Sequence, residues 1–278
     1  MIRVKNLARV AVAAALGVGL LTASNPAWAT NLLSNVPEAG GYQLVYEFPI
    51  PVNSLGWNST PIPYTVNNSG SIPTGSFDRV AYYLQLDKPG GGSDWVYVSM
   101  NTFTNRADKT GVPNTASGEF YNFMNMPSGW IANGKIFSNV AGIVTGTGIN
   151  TINLEFWPSN YGQNNGYGVP GANGSTFDFG DGGAGTGNGH GSMQIHNYGT
   201  VQTLFAYNAW GQARTSELGI GNQVGGSGNP DWTFNTSNIS TYSSRTLQVL
   251  VTPEPSTAML VFGGVLALWN SRRRNRRR

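Results

Sequence analysis

The 278-residue chain contains no cysteine, and charged residues make up only 10% of it. Without cysteine there are no disulfides, no thiolate nucleophile and no Cys-ligated metal, so the fold must be held by its core. Histidine is nearly absent too, with two in the whole chain, His190 and His196. Several catalytic signatures are missing: a G-x-S-x-G elbow, an H-E-x-x-H pair, a phosphate-binding loop with its lysine, and an EF-hand loop. No 3.6-residue period is sustained through the body of the chain, and no repeat of fixed length sets up a propeller or β-helix.

Positive charge is scarce as well, once its location is considered. Nine of the 16 Lys and Arg residues lie at the two ends: Arg3, Lys5, Arg9 and six arginines from Arg272 to Arg278. The body between residues 30 and 252 keeps seven basic residues against twelve acidic ones, a formal charge of about −5, although the whole chain carries +3. A weakly acidic body has no field for nucleic acid, and that class of partner is excluded. What the chain has in abundance is glycine, 38 residues, with Asn, Ser and Thr around it. A neutral polar surface of this kind is common in extracellular β proteins.

The N-terminus carries Arg3, Lys5 and Arg9, then the apolar stretch Val10 to Leu21, then Ala27-Trp28-Ala29. A positive start, an apolar core and an A-x-A end make a secretory signal peptide, so cleavage before Thr30 by signal peptidase after Sec export is expected.

The C-terminus has three parts in order: Thr252-Pro253-Glu254-Pro255-Ser256-Thr257, an apolar run from Ala258 to Trp269, and Arg272, Arg273, Arg274, Arg276, Arg277 and Arg278. This segment resembles the PEP-CTERM sorting domain. The resemblance implies Pro253, Glu254 and Pro255 as the sorting motif and an exosortase of the inner membrane as the partner. It also implies a Gram-negative, exopolysaccharide-making setting. The residues support the reading physically. Arginines beyond an apolar run stay on the cytoplasmic side, and prolines keep the preceding segment from continuing as a helix. The apolar run is short for a membrane span, which takes about 20 residues. Even Ser256 to Asn270 measures only roughly 22 Å as a helix. Transient retention in the inner membrane, followed by release to the cell surface or beyond, is therefore expected. The precursor divides into a signal peptide (1–29), a β domain (30–252) and a sorting signal (253–278), with a hydrophobic helix expected at each end.

Within the body the dominant period is two. Tyr42, Leu44, Tyr46, Phe48 and Ile50 alternate on one face. Val80, Tyr82, Leu84 and Leu86 do so opposite Arg79, Gln85 and Asp87. Ile152, Leu154 and Phe156 alternate with Asn153 and Glu155, and Leu247, Val249 and Val251 form a last strand before the tail. Such alternation marks half-buried strands. Further candidates are 62–66, 95–103, 192–196, 201–207 and 232–234. Glycine- and asparagine-rich loops at 89–93, 158–176, 180–191 and 221–230 separate them, and Gly219-Ile220-Gly221 reads as a turn. Eight to twelve short strands predict an all-β, antiparallel sandwich of jelly-roll type.

Two constellations can carry chemistry. Asp178, Asp181, His190 and His196 form the densest polar group. Oxygen ligands from Asp178 and Asp181 suit calcium, and a histidine beside a carboxylate suits general-base hydrolysis. The same residues equally suit a turn with packed histidines. The second group is Trp157, Tyr161 and Tyr167 in an Asn- and Gly-rich loop, where flat rings beside amides suit the faces and hydroxyls of a sugar. Aromatics that anchor the loop onto the sandwich are the plain alternative.

Residues 154–161, Phe177-Asp178-Phe179-Gly180-Asp181, residues 191–197 and Asp231-Trp232-Thr233-Phe234 together resemble a β module of secreted planctomycete-type proteins, some of them sialate O-acetylesterases. The chain lacks the Gly-Asp-Ser nucleophile block of such esterases, so the resemblance implies an accessory module. The expected function is a non-catalytic carbohydrate- or matrix-binding protein of the cell envelope. A secreted hydrolase and a structural exopolysaccharide-matrix protein are the alternatives.

Overall fold

The computed structural model describes residues 32–53, 62–112, 131–157, 192–208, 217–223 and 240–253. Among them the protein is all-β, with eleven strands in antiparallel sheets and only single turns of helix. The strands are β1 (Gln43–Pro49), β2 (Val66–Asn67), β3 (Phe77–Asp87), β4 (Ser93–Asn101), β5 (Gly134–Ser138), β6 (Gly146–Ile149), β7 (Ile152–Trp157), β8 (Ser192–Asn197), β9 (Gln202–Asn208), β10 (Glu217–Gln223) and β11 (Ser244–Pro253). A seven-stranded sheet runs β2-β1-β11-β3-β4-β5-β6, and a four-stranded sheet runs β10-β9-β8-β7.

The two-residue period places β3 and β11 as expected. Val80, Tyr82, Leu84 and Leu86 of β3, and Leu247, Val249 and Val251 of β11, enter the main buried cluster. Strands of both sheets feed this cluster, and Phe48 of β1 meets Tyr207 of β9 edge-on at 5.4 Å. The intervening residues of β3 are buried as well. Ala81 and Tyr83 join Tyr97 and Leu250 in a second cluster on the opposite face of the seven-stranded sheet. That face is covered by the chain ahead of β1, a helical turn at 32–35 followed by a 3-10 turn at Pro37–Gly41, through Leu32, Val36 and Ala39. Lys135 of β5 ties it down with a 2.9 Å ion pair to Glu38.

Two expectations are corrected. Tyr42, Leu44, Tyr46, Phe48 and Ile50 do not share a face, because a β-bulge falls between Leu44 and Tyr46. The extra residue reverses the alternation, so Tyr42 and Leu44 pack on the outer cluster and Tyr46, Phe48 and Ile50 in the main one. Gly219-Ile220-Gly221 is not a turn but the middle of β10, with Ile220 buried in the main cluster. Gly221 takes φ +66° and lies against Ile143, where a Cβ would approach the Ile143 side chain to 2.9 Å. Gly221, which breaks the hydrophobic pattern here, serves a close approach between strand and loop. Strand β11 also extends one residue past the expected domain boundary, to Pro253.

Candidate functional site

Among the described residues the outer face of the seven-stranded sheet is covered only in part, and beyond the cover it becomes polar. Tyr83, Gln85 and Asp87 follow one another at two-residue spacing along β3 and so stand on the same face. Asn35 donates its amide to the Tyr83 hydroxyl at 2.8 Å, and that hydroxyl donates to Gln85 Oε1 at 2.8 Å. Gln85 Nε2 donates in turn to Asp87 Oδ1 at 2.6 Å, and Ser244 Oγ of β11 donates to Asp87 Oδ2. The result is an ordered relay of four side chains, Asn35, Tyr83, Gln85 and Asp87, joined at its end by Ser244, in which burial keeps the Tyr83 hydroxyl neutral with its pKa pushed up to about 12.

Gln85 and Asp87 of this relay form the floor of an open cleft of about 340 Å³. One wall is Ser34 and Asn35 of the helical turn, and the other is the β3–β4 turn at Lys88, Gly91 and Gly92. Gly90, Gly91 and Gly92 all have positive φ, and none has a neighbour within 4 Å of its Cβ position. The turn therefore presents bare backbone to the cleft. Lys88 sits at the rim in a 2.6 Å ion pair with Asp94, which raises the lysine's pKa, and the Tyr242 hydroxyl lies 3.3 Å from the same carboxylate. Next to the floor stands Trp95 of β4, the cross-strand partner of Gln85, half-buried and tilted against Tyr83 at 6.1 Å between ring centroids. An indole edge, amides, a carboxylate and exposed backbone thus meet on one surface.

Of the candidate ligand and metal residues singled out by sequence, Trp157 and His196 are described. Trp157 is the last residue of β7, paired with Ser192 of β8. Tyr161, Tyr167, Asp178, Asp181 and His190 lie outside the described residues. His196 is on β8, fully buried, between Asn153 of β7 and Thr203 of β9, with Tyr198 edge-on at 5.7 Å. These neighbours belong to a polar face of the four-stranded sheet in which Asn153, Gln194, His196 and Thr203 are all buried. Among the described residues no group of three or more His, Asp or Glu side chains can hold a metal ion, and no helix is long and apolar enough to cross a membrane. Pro253 ends β11, whereas Glu254, Pro255 and the arginines lie outside the described residues.

The cleft residues Asn35, Gln85 and Asp87, and Trp95 beside them, were not candidates from sequence. Their only local signal is the i, i+2 run Tyr83-Gln85-Asp87 leading into a triple-glycine turn. Comparison with family models, curated proteins and solved structures finds no match.

Proposed function

We propose that this is an exported, exosortase-processed protein of the cell envelope or extracellular matrix, whose β domain binds carbohydrate without catalysis. The tail and leader supply the address, as their residue order implies. The two sheets are read as the halves of a sandwich, on the strength of their shared buried cluster. The meander order β7 to β10 and β3 to β6 lends nothing to the jelly-roll type expected from sequence, so the proposal keeps to a two-sheet sandwich.

The observation that carries the binding function is the relay Asn35–Tyr83–Gln85–Asp87 on the floor of an open cleft beside Trp95. Oriented amide and carboxylate groups match sugar hydroxyls, which both donate and accept, and a ring beside them matches the C–H face of a pyranose. Trp157, Tyr161 and Tyr167 are proposed as a second sugar contact, and calcium at Asp178 and Asp181 as an aid to it. His196 is buried at 0% exposure, and a general base has to reach its substrate. That burial weighs against the hydrolase reading.

A glycan array probed with the body, residues 30–253, tests the proposal. Binding to a neutral polysaccharide that falls at least tenfold with Gln85→Ala and Asp87→Ala supports it. A body that binds no glycan, or a double variant that binds as well as the parent, sinks it. Trp157→Ala separates the second contact from the first.

A further inference from the structure

Strand β11 is the last described element of the chain and also a central strand of the seven-stranded sheet. It pairs along its whole length with β3, from Ser244↔Asp87 to Pro253↔Phe77, and on its other side with β1, from Thr246↔Pro49 to Val251↔Gln43. Its side chains are buried on both faces, with Leu247, Val249 and Val251 in the main cluster and Leu250 in the outer one. Polar contacts secure it from end to end. Arg245 Nε donates to the Ile50 carbonyl at 2.9 Å, Gln248 Nε2 to Glu47 Oε2 at 3.0 Å, and Thr252 Oγ1 to Asp78 Oδ1 at 2.5 Å. On its far side β1 has, among the described residues, only the two-residue strand β2, so β11 is what joins β1 to the rest of the sheet.

We infer that the space between β1 and β3 is a strand-binding slot whose occupant is the chain's own segment 244–253. Filling it completes the fold, and it restricts processing to peptide bonds beyond Pro253. The processing clause rests on the proposed reading of the tail; the slot does not. Two open strand edges are what an unfilled slot would present, so the body cannot close until residues 244–253 have left the export channel. Bonds within β11 are held between two ladders and are closed to a protease, which binds substrate in extended form at its own site. The bond after Pro253 is the first beyond the last paired residue.

The test uses the full chain with one inserted recognition sequence for a site-specific endoprotease, placed either between Ile239 and Ser240 or between Pro255 and Ser256. After cutting ahead of Ser240, the fragment 240–278 is expected to co-purify with the body in native buffer and to separate only in denaturant. After cutting behind Pro255, the tail is expected to leave and the body to keep its cooperative melt. Dissociation of the 240–278 fragment in native buffer overturns the inference, as does an unchanged melt once that fragment has been removed. A body that stays with the membrane after the second cut overturns the tail reading alone and leaves the slot standing.

Discussion

Ser244 and Asp87 face each other as the first rung of the β11–β3 ladder, and the Ser244 hydroxyl donates to the Asp87 carboxylate. The last rung, Pro253 against Phe77, lies at the other end of the same strands. One strand pair therefore carries the polar cleft at one end and the start of the proposed sorting tail at the other. The eleven residues of β3 separate them by roughly 34 Å, at about 3.4 Å per residue.

Under the proposed reading of the tail as a membrane-held segment, that separation predicts which end of the domain faces outward. The absence of cysteine makes single-cysteine labelling clean. With the full chain in membranes, Lys88→Cys at the cleft rim is expected to react with a bulky polyethylene-glycol maleimide as fast as in detergent. Thr74→Cys, ahead of β3 at the tail end, is expected to react several-fold more slowly in membranes. Equal slowing at both positions would refute the arrangement.

Strand β11 should also dominate stability. Truncating Leu247 or Val249, both at most 1% exposed, to alanine is expected to cost about 2–4 kcal/mol in urea unfolding. Truncating the exposed Val144 should cost less than about 0.5 kcal/mol.

Gly134 of β5 marks a point where two backbones approach closely. An added Cβ would lie 2.5 Å from Ile152 Cγ1 and 2.9 Å from the Ile149 carbonyl oxygen. The carbonyl is backbone and cannot swing away, so Gly134→Ala is expected to destabilise by about 1–3 kcal/mol. Gly70→Ala meets nothing within 4 Å and has no positive φ, so it serves as a near-neutral control in the same melt.

Alkaline pH should unfold the domain through its buried tyrosines. Burial raises the pKa of Tyr83 to about 12, and it raises Tyr97 further, with Tyr42 adding to the effect. An unfolded tyrosine titrates near 10. The folded state thus favours the neutral phenol, and the associated stability is complete below about pH 10 and lost as pH rises through 12. Phenolate absorbance is expected to show a late fraction that appears together with loss of near-ultraviolet circular dichroism. Ionisation of every tyrosine near pH 10 in a domain that stays folded would contradict it.

Alternation made much of the strand content legible, because the side-chain period of a strand is a local property. The runs Val80-Tyr82-Leu84-Leu86 and Leu247-Val249-Val251 needed no partner to be recognised. Where glycine thinned the pattern, as in β5, β6 and β10, the same rule missed the strand. There it is cross-strand pairing and close approach, as at Gly221 against Ile143, that hold the backbone extended. The bulge at Val45 escaped for a related reason, since one inserted residue leaves composition unchanged and reverses every face that follows.

The sequence by itself determined the all-β class, the acidic character of the body, the lack of disulfides and the tripartite tail with its implied address. Each of these is set by composition or by residues adjacent in the chain. Only the tertiary structure decided that β11 lies between β1 and β3, that Asn35, Gln85 and Asp87 line one cleft, and that Ser244 donates to Asp87 there. Those groupings join positions about 50 to 200 residues apart. Long-range strand pairing is chosen by mutual burial across both faces of the sheet, for which no local run of residues carries a signature.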